Sequence, residues 1–174
     1  MGKVPIAMVE DGIAIFCEAM CNGWAAGKDH NNRSEFEKDG WLVKDEWEVG
    51  TDGHSWGCTR QFIHGKPFFA MSYQGRYPKV LIPYVKRGIM YNYKRGIFFA
   101  GRGPKLLQME APDGGEVIYQ NRAEKIDDFE EPGSFTNFRA KESVGLFRHA
   151  GTNIEPVYTE QGYHRVQGMR LMYI

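Results

Sequence analysis

"GKPFFAMSYQGRYP", residues 65–78, places large side chains on alternate positions and then halts at a glycine. Phe69, Met71 and Tyr73 fall on one side of an extended chain, and Phe68, Ala70, Ser72 and Gln74 on the other, because successive strand residues point to opposite faces. The preceding run, "SWGCTRQFIH" (55–64), has the same texture, and only Gly65 and Lys66 separate it from "PFFAMSYQ" (67–74). Two such runs joined by a two-residue turn containing glycine predict a β-hairpin. Earlier, "WLVKDEWEV" (41–49) repeats the alternation, with Trp41, Val43, Asp45, Trp47 and Val49 sharing a face. Asp45 is the odd residue on that apolar side. The aromatic residues crowded into this region form either a packed core or the floor of a ligand site, since each buries a large area.

Working outward, Ile13, Phe16, Cys17, Met20 and Trp24 recur at helical spacing and predict an amphipathic helix over about Val9–Ala26. Asp11 would cap its start and Gly27 would end it. The polar stretch 27–39 reads as a loop. "PKVLIPYVKRGIM" (78–90) predicts a second helix beginning near Leu81 or Ile82, where Pro83 is tolerated in the first turn. Strand-like runs return at about 105–110, 116–120, 134–142 and 144–149, and the tail "GYHRVQGMRLMYI" (162–174) alternates once more. The reading is one α+β domain over residues 1–174. An N-terminal helix packs on a curved, mainly antiparallel sheet, with a second helix around 81–90.

Composition narrows the function. Lys+Arg and Asp+Glu both number 22, so there is no basic surplus, and nucleic acid is not expected as a partner unless a local patch forms. No apolar run approaches the ~20 residues that span a bilayer, and the N-terminus lacks a secretory h-region. A cytoplasmic protein without a membrane partner is expected. The three cysteines, Cys17, Cys21 and Cys58, suit free thiols rather than a disulfide framework. The five histidines (30, 54, 64, 149 and 164) show no ligand spacing, so neither a metal nor a cofactor is expected. "GRGP" (101–104) lacks the spacing of a phosphate loop and reads as a turn. The acidic run Asp127, Asp128, Glu130 and Glu131 reads as a solvated face.

"PFFAMSYQG" resembles the Pro-x-Trp-x-Met-x-Tyr-x-Gly segment of a bacterial domain family of unknown function, which occurs alone or attached to repressor-type helix-turn-helix domains. "FCEAMCNGWAAG" (16–27) resembles that family's N-terminal helix, "GRGP" its Arg-Gly-Pro segment, "FRAKE" (138–142) its Phe-x-Gly-x-Glu motif, and "RHAG" (148–151) its His-Gly-Gly. Phe69 stands where the family has Trp, and Ala140 and Ala150 stand where it has Gly. The likeness covers residues 13–154 and leaves 155–174 as a C-terminal strand extension. It implies a fold but no chemistry.

The matched polar positions are Tyr73, Arg102, Glu142 and His149. One reading is structural, with Arg102 and Glu142 forming a partly buried salt bridge. The other gathers them in a pocket where Arg102 and Tyr73 bind a ligand beside Trp47 and Phe69. Three functions follow. The first is a non-enzymatic module binding a small molecule or a protein partner. The second is a small hydrolase or isomerase using His149 and Glu142 as an acid–base pair. The third is an assembly protein forming a homodimer through its C-terminal strand.

Overall fold

His64 and Gly65 take positive φ angles of 47° and 75°, the conformation a two-residue hairpin turn needs to match the twist of its strands. The turn joins β3 (His54–Ile63) to β4 (Lys66–Arg76), so the predicted hairpin forms with its turn one residue earlier. In the computed structural model, residues 4–28, 30–126, 137–149 and 156–171 are described. The remaining elements are α1 (Ile6–Met20), a 3-10 turn (Trp24–Ala26), β1 (Arg33–Lys38), β2 (Trp41–Val49), a second 3-10 turn (Lys79–Leu81), α2 (Ile82–Tyr93), β5 (Leu106–Glu110), β6 (Glu116–Ile126), β7 (Phe138–His149) and β8 (Pro156–Arg170). All eight strands form one open antiparallel sheet in the order β1-β2-β3-β4-β8-β7-β6-β5, which makes the protein α+β as expected.

Four details differ from the sequence reading. The polar stretch 27–39 contains β1, an edge strand whose inner face carries only Ser34 and Phe36, half-buried between exposed Arg33, Glu35 and Glu37, too weak an alternation to stand out among polar residues. Helix α1 begins at Ile6, behind Pro5, so Asp11 lies inside the helix rather than at its cap. Residues 138–142 and the run 144–149 belong to one strand, β7; residues 127–136, with the acidic run, lie outside the described residues. Finally, Phe68 does not point away from Phe69. Gln61 pairs with Phe69 and Phe62 with Pro67, so Phe68 is the extra residue of a β-bulge. Both phenylalanines are therefore buried under α1. Phe68 meets Trp41 edge-on at 4.9 Å, and Phe69 meets Phe16 at 5.9 Å.

Both helices lie on one face of the sheet and approach it at glycines. A Cβ added to Gly12 of α1 would sit 2.7 Å from the Phe68 ring, and one added to Gly88 of α2 would sit 2.5 Å from Tyr119 of β6. The aromatic core of Phe16, Phe69, Phe98, Phe138 and Tyr93 fills the space beneath α1.

The C-terminal strand is the least expected feature. Far from extending the domain, β8 lies at the centre of the sheet, hydrogen-bonded to β4 on one side and β7 on the other. Over Tyr163–Gly168 both edges of β8 are taken by β4 and β7, so that part of the strand offers no edge to a second copy. A chain ending before Pro156 is expected to lose its cooperative thermal transition, followed by near-UV circular dichroism. A sharp transition in that truncated chain would show that β8 is an appendage.

Candidate functional site

The strand alternation that buries Phe69 continues along β4 to Met71 and Tyr73, and there the packing opens. Beyond the phenylalanine core, the two helices and the sheet enclose a cavity of about 290 Å3. Met20, Trp24 and Ala25 close it from the N-terminal side, and Ile82, Ile89 and Tyr93 from α2. The sheet contributes Asp45, Trp47, Ser55, Thr59, Met71, Tyr73 and His164, while Tyr77 and Arg102 enter from loops. The walls are mostly apolar and aromatic; most of the polar groups lie on the sheet side, with Lys79 of the second 3-10 turn across from them.

Arg102 is held there by its own loop. Asn121 of β6 donates through Nδ2 to the carbonyls of Phe99, Ala100 and Gly103, at 3.3, 3.2 and 3.2 Å. This staples the "GRGP" segment to the sheet and turns the Arg102 side chain inward. Its guanidinium and backbone amide both reach Glu142 of β7. The backbone N–H donates to Oε1 at 2.8 Å, Nε to both carboxylate oxygens at 3.2 and 3.0 Å, and Nη2 to Oε2 at 2.7 Å. Arg102 is 6% exposed and Glu142 0%, so this ion pair is dry. Burial alone would lower the Arg102 pKa, but the charge and hydrogen bonds of Glu142 override it and hold it well above the ordinary value.

The same Nη2 donates to His164 Nδ1 at 2.9 Å, and this settles the imidazole's protonation. An arginine has no acceptor, so Nδ1 is bare and the ring hydrogen is on Nε2, which donates to Ser55 Oγ at 3.0 Å. Burial first, and the Arg102 charge second, push His164 down from 6.5 to about 2. The guanidinium also lies over the Tyr73 ring, 4.6 Å from its centroid, and Tyr77 packs on His164 at 4.4 Å. Tyr73 donates to Asp45 Oδ1 at 3.0 Å, and Thr59 donates to the same oxygen at 2.8 Å. Burial pushes the Asp45 carboxyl up, against those two hydrogen bonds and the Arg102 charge, which hold it down.

Not every polar atom of this cluster is engaged. Asp45 Oδ2 and Arg102 Nη1 make no hydrogen bond among the described residues. The Tyr93 hydroxyl is sealed from solvent and has no hydrogen-bond partner there either. Tyr77 Oη faces the Arg102 guanidinium and the His164 amide without reaching full hydrogen-bond geometry.

Of the residues singled out from sequence, Tyr73, Arg102 and Trp47 line the cavity. Glu142 stands behind Arg102, fully buried and engaged by it. Phe69 is a core residue: Phe16 and Phe98 meet its ring edge-on, each 5.9 Å away, and it does not reach the cavity. His149 ends β7, and its side chain lies outside the described residues. It is seven positions beyond Glu142 (149 − 142) on one extended strand, some 20 Å away, which is too far for a shared proton. His164, Ser55, Tyr77 and Tyr93 were not anticipated. Asp45 stands out in the sequence only as the odd residue on an apolar strand face, not as a site residue.

Among the described residues, no group of three or more His, Cys, Asp or Glu side chains converges to hold a metal ion, and no helix is long and apolar enough to cross a membrane. Cys17, Cys21 and Cys58 are free thiols. In comparisons with known proteins, no family model matches the chain, and neither does any curated protein or solved structure. The site is read from its own geometry.

Two outcomes follow. Glu142→Gln leaves the buried Arg102 cation without its counter-charge and is expected to cost about 3–5 kcal/mol in urea unfolding, while the double change Arg102→Met, Glu142→Leu recovers much of that loss. For His164, the unfolded ring gains a proton as pH falls through 6.5, while the folded ring stays neutral to about 2. Its contribution to stability is therefore complete above pH 6.5 and is lost progressively below it, at up to about 1.4 kcal/mol per pH unit. Subtracting the pH–stability profile of His164→Gln from that of the native chain should isolate this acid limb. Asp45, with the opposite sign, remains in both profiles and cancels.

Proposed function

We propose that this chain is a non-enzymatic module that binds a small, largely planar molecule in the cavity between its helices and its sheet. The observation that carries the reading is the cavity itself, about 290 Å3, with mostly apolar and aromatic walls and with Asp45 and Arg102 among its lining. The cavity volume is close to the lower end of the ~300–1,000 Å3 range of ligand sites, and apolar walls with a few convergent polar groups are their usual form.

The polar wall selects the ligand's edge. Arg102 Nη1 offers a donor and Asp45 Oδ2 an acceptor, so a molecule carrying a neighbouring acceptor and donor satisfies both. Trp24, Trp47, Tyr73 and Tyr93 supply rings for its flat body. Acid–base catalysis finds less support. Glu142 is engaged by Arg102, and both nitrogens of His164 are taken up by Arg102 and Ser55.

A thermal-shift screen of planar metabolite-sized heterocycles and aromatic amides tests the proposal. A true ligand at a hundred times its dissociation constant adds ~2.7 kcal/mol, or roughly 5–10 °C for a chain of this size. Ala25→Trp, which fills the cavity from its rim, should abolish the shift without lowering the melting temperature of the free protein. A shift that survives Ala25→Trp places binding elsewhere and refutes the proposal.

A further inference from the structure

The face of the sheet opposite the helices carries a second pattern, independent of the cavity. Cross-strand registers set Trp56, Gln74, Arg165, Lys141 and Arg122 side by side across β3, β4, β8, β7 and β6. The next row holds Cys58, Ser72, Gln167 and Arg139, and the row on the other side His54, Arg76, Tyr163 and Ser143. At about 4.8 Å between strands and 6.6 Å between same-face neighbours, the three rows cover roughly 13 by 19 Å.

The five cations here, Arg76, Arg122, Arg139, Lys141 and Arg165, are all exposed, and none forms an ion pair among the described residues. Lys38, Lys44, Arg60 and Arg148, by contrast, each meet a carboxylate, although other cations such as Lys86 and Lys94 meet none among the described residues. Within the three rows the one described carboxylate is Glu124, at the bulge of β6, while Glu46 and Glu48 mark the border on β2. The zero net charge of the chain thus hides a segregated basic patch.

Aromatic rings interrupt the patch. Trp56 is 50% exposed and Tyr163 44%, unusual for residues of that size on an otherwise polar surface. A shallow groove runs beside Trp56, walled by Gln74, Gln167, Arg139 and Arg165. We propose that this sheet face is a docking surface for single-stranded nucleic acid, with bases stacked on Trp56 and Tyr163 and phosphates held by the surrounding arginines and Lys141. Cations alone would suit any polyanion, but rings flanked by amide side chains suit unpaired bases, which present a π-face and free polar edges. A sheet face offers no helix to enter a duplex groove, so single strands fit it better than duplex.

Fluorescence polarisation of labelled 15-mer oligothymidylate and oligouridylate, with duplex DNA and poly-glutamate as competitors, tests this. Binding is expected at low salt. The logarithm of affinity should fall with log salt by about 0.7 per phosphate contacted, giving a slope near −3 if most of the five cations engage. Arg139→Glu with Arg165→Glu should weaken binding tenfold or more and flatten the slope. Trp56→Ala should weaken it about tenfold with the slope unchanged, which a purely ionic surface would not show. These side chains are exposed, so circular dichroism and melting temperature should confirm that each variant is folded. No binding in low salt overturns the proposal. So does poly-glutamate competing as well as oligothymidylate with Trp56→Ala neutral, which would identify an acidic protein partner instead.

Discussion

The buried Arg102–Glu142 pair is the constraint around which the rest is arranged. Two charges leave water only where nearly every donor and acceptor is answered, since desolvation otherwise outweighs their attraction. Four hydrogen bonds from Arg102 to one carboxylate meet that demand. Meeting it fixes the loop that Asn121 staples, the orientation of the Tyr73 ring beneath the guanidinium, and the tautomer of His164 opposite Glu142 on the neighbouring strand. The cavity's polar wall is the outward surface of this cluster.

The cavity itself comes from how the helices meet the sheet. Gly12 and Gly88 let α1 and α2 approach β4 and β6 closely. Between those two contacts, Met20, Trp24, Ile89 and Tyr93 face Asp45, Thr59 and Met71 across a gap they do not fill. Protein interiors are close-packed, so a gap of about 290 Å3 is a departure from ordinary packing and the reason to look for a ligand there.

Strand alternation joins the two faces. Glu142 and His164 point into the cluster, while their neighbours Lys141 and Arg165 point out to the basic patch; Tyr73 and Gln74 divide in the same way. One sheet therefore carries a dry polar cluster inside and, outside, a row of cations that form no ion pair among the described residues. A substitution that shifts strand register by one residue would exchange the two faces, which ties cavity and patch to a single pairing pattern.

Much of the scaffold was legible locally. Helical spacing in α1 and α2, period-two alternation in β2, β3 and β4, and the turn at His64-Gly65 are short-range patterns, and they yielded an α+β domain with its hairpin in place. Asp45 announced itself as an acid among apolar neighbours, and Tyr73, Arg102 and Glu142 as residues worth placing together. What the amino-acid order by itself determined is this alternation and composition: which side chains share a face, and that charge sums to zero. Long-range pairing decided the rest. β8 is 80 or more residues from β4 in sequence, yet it lies beside it, so only the folded sheet brings His164 against Arg102 and gathers Arg165, Lys141 and Arg122 into a row. The bulge at Phe68 turned a predicted outward residue inward for the same reason, because two-against-one pairing is a property of two strands and not of one. Local periodicity specifies faces; the entropic cost of closing distant loops is met only by the whole set of tertiary contacts, and those chose which faces meet.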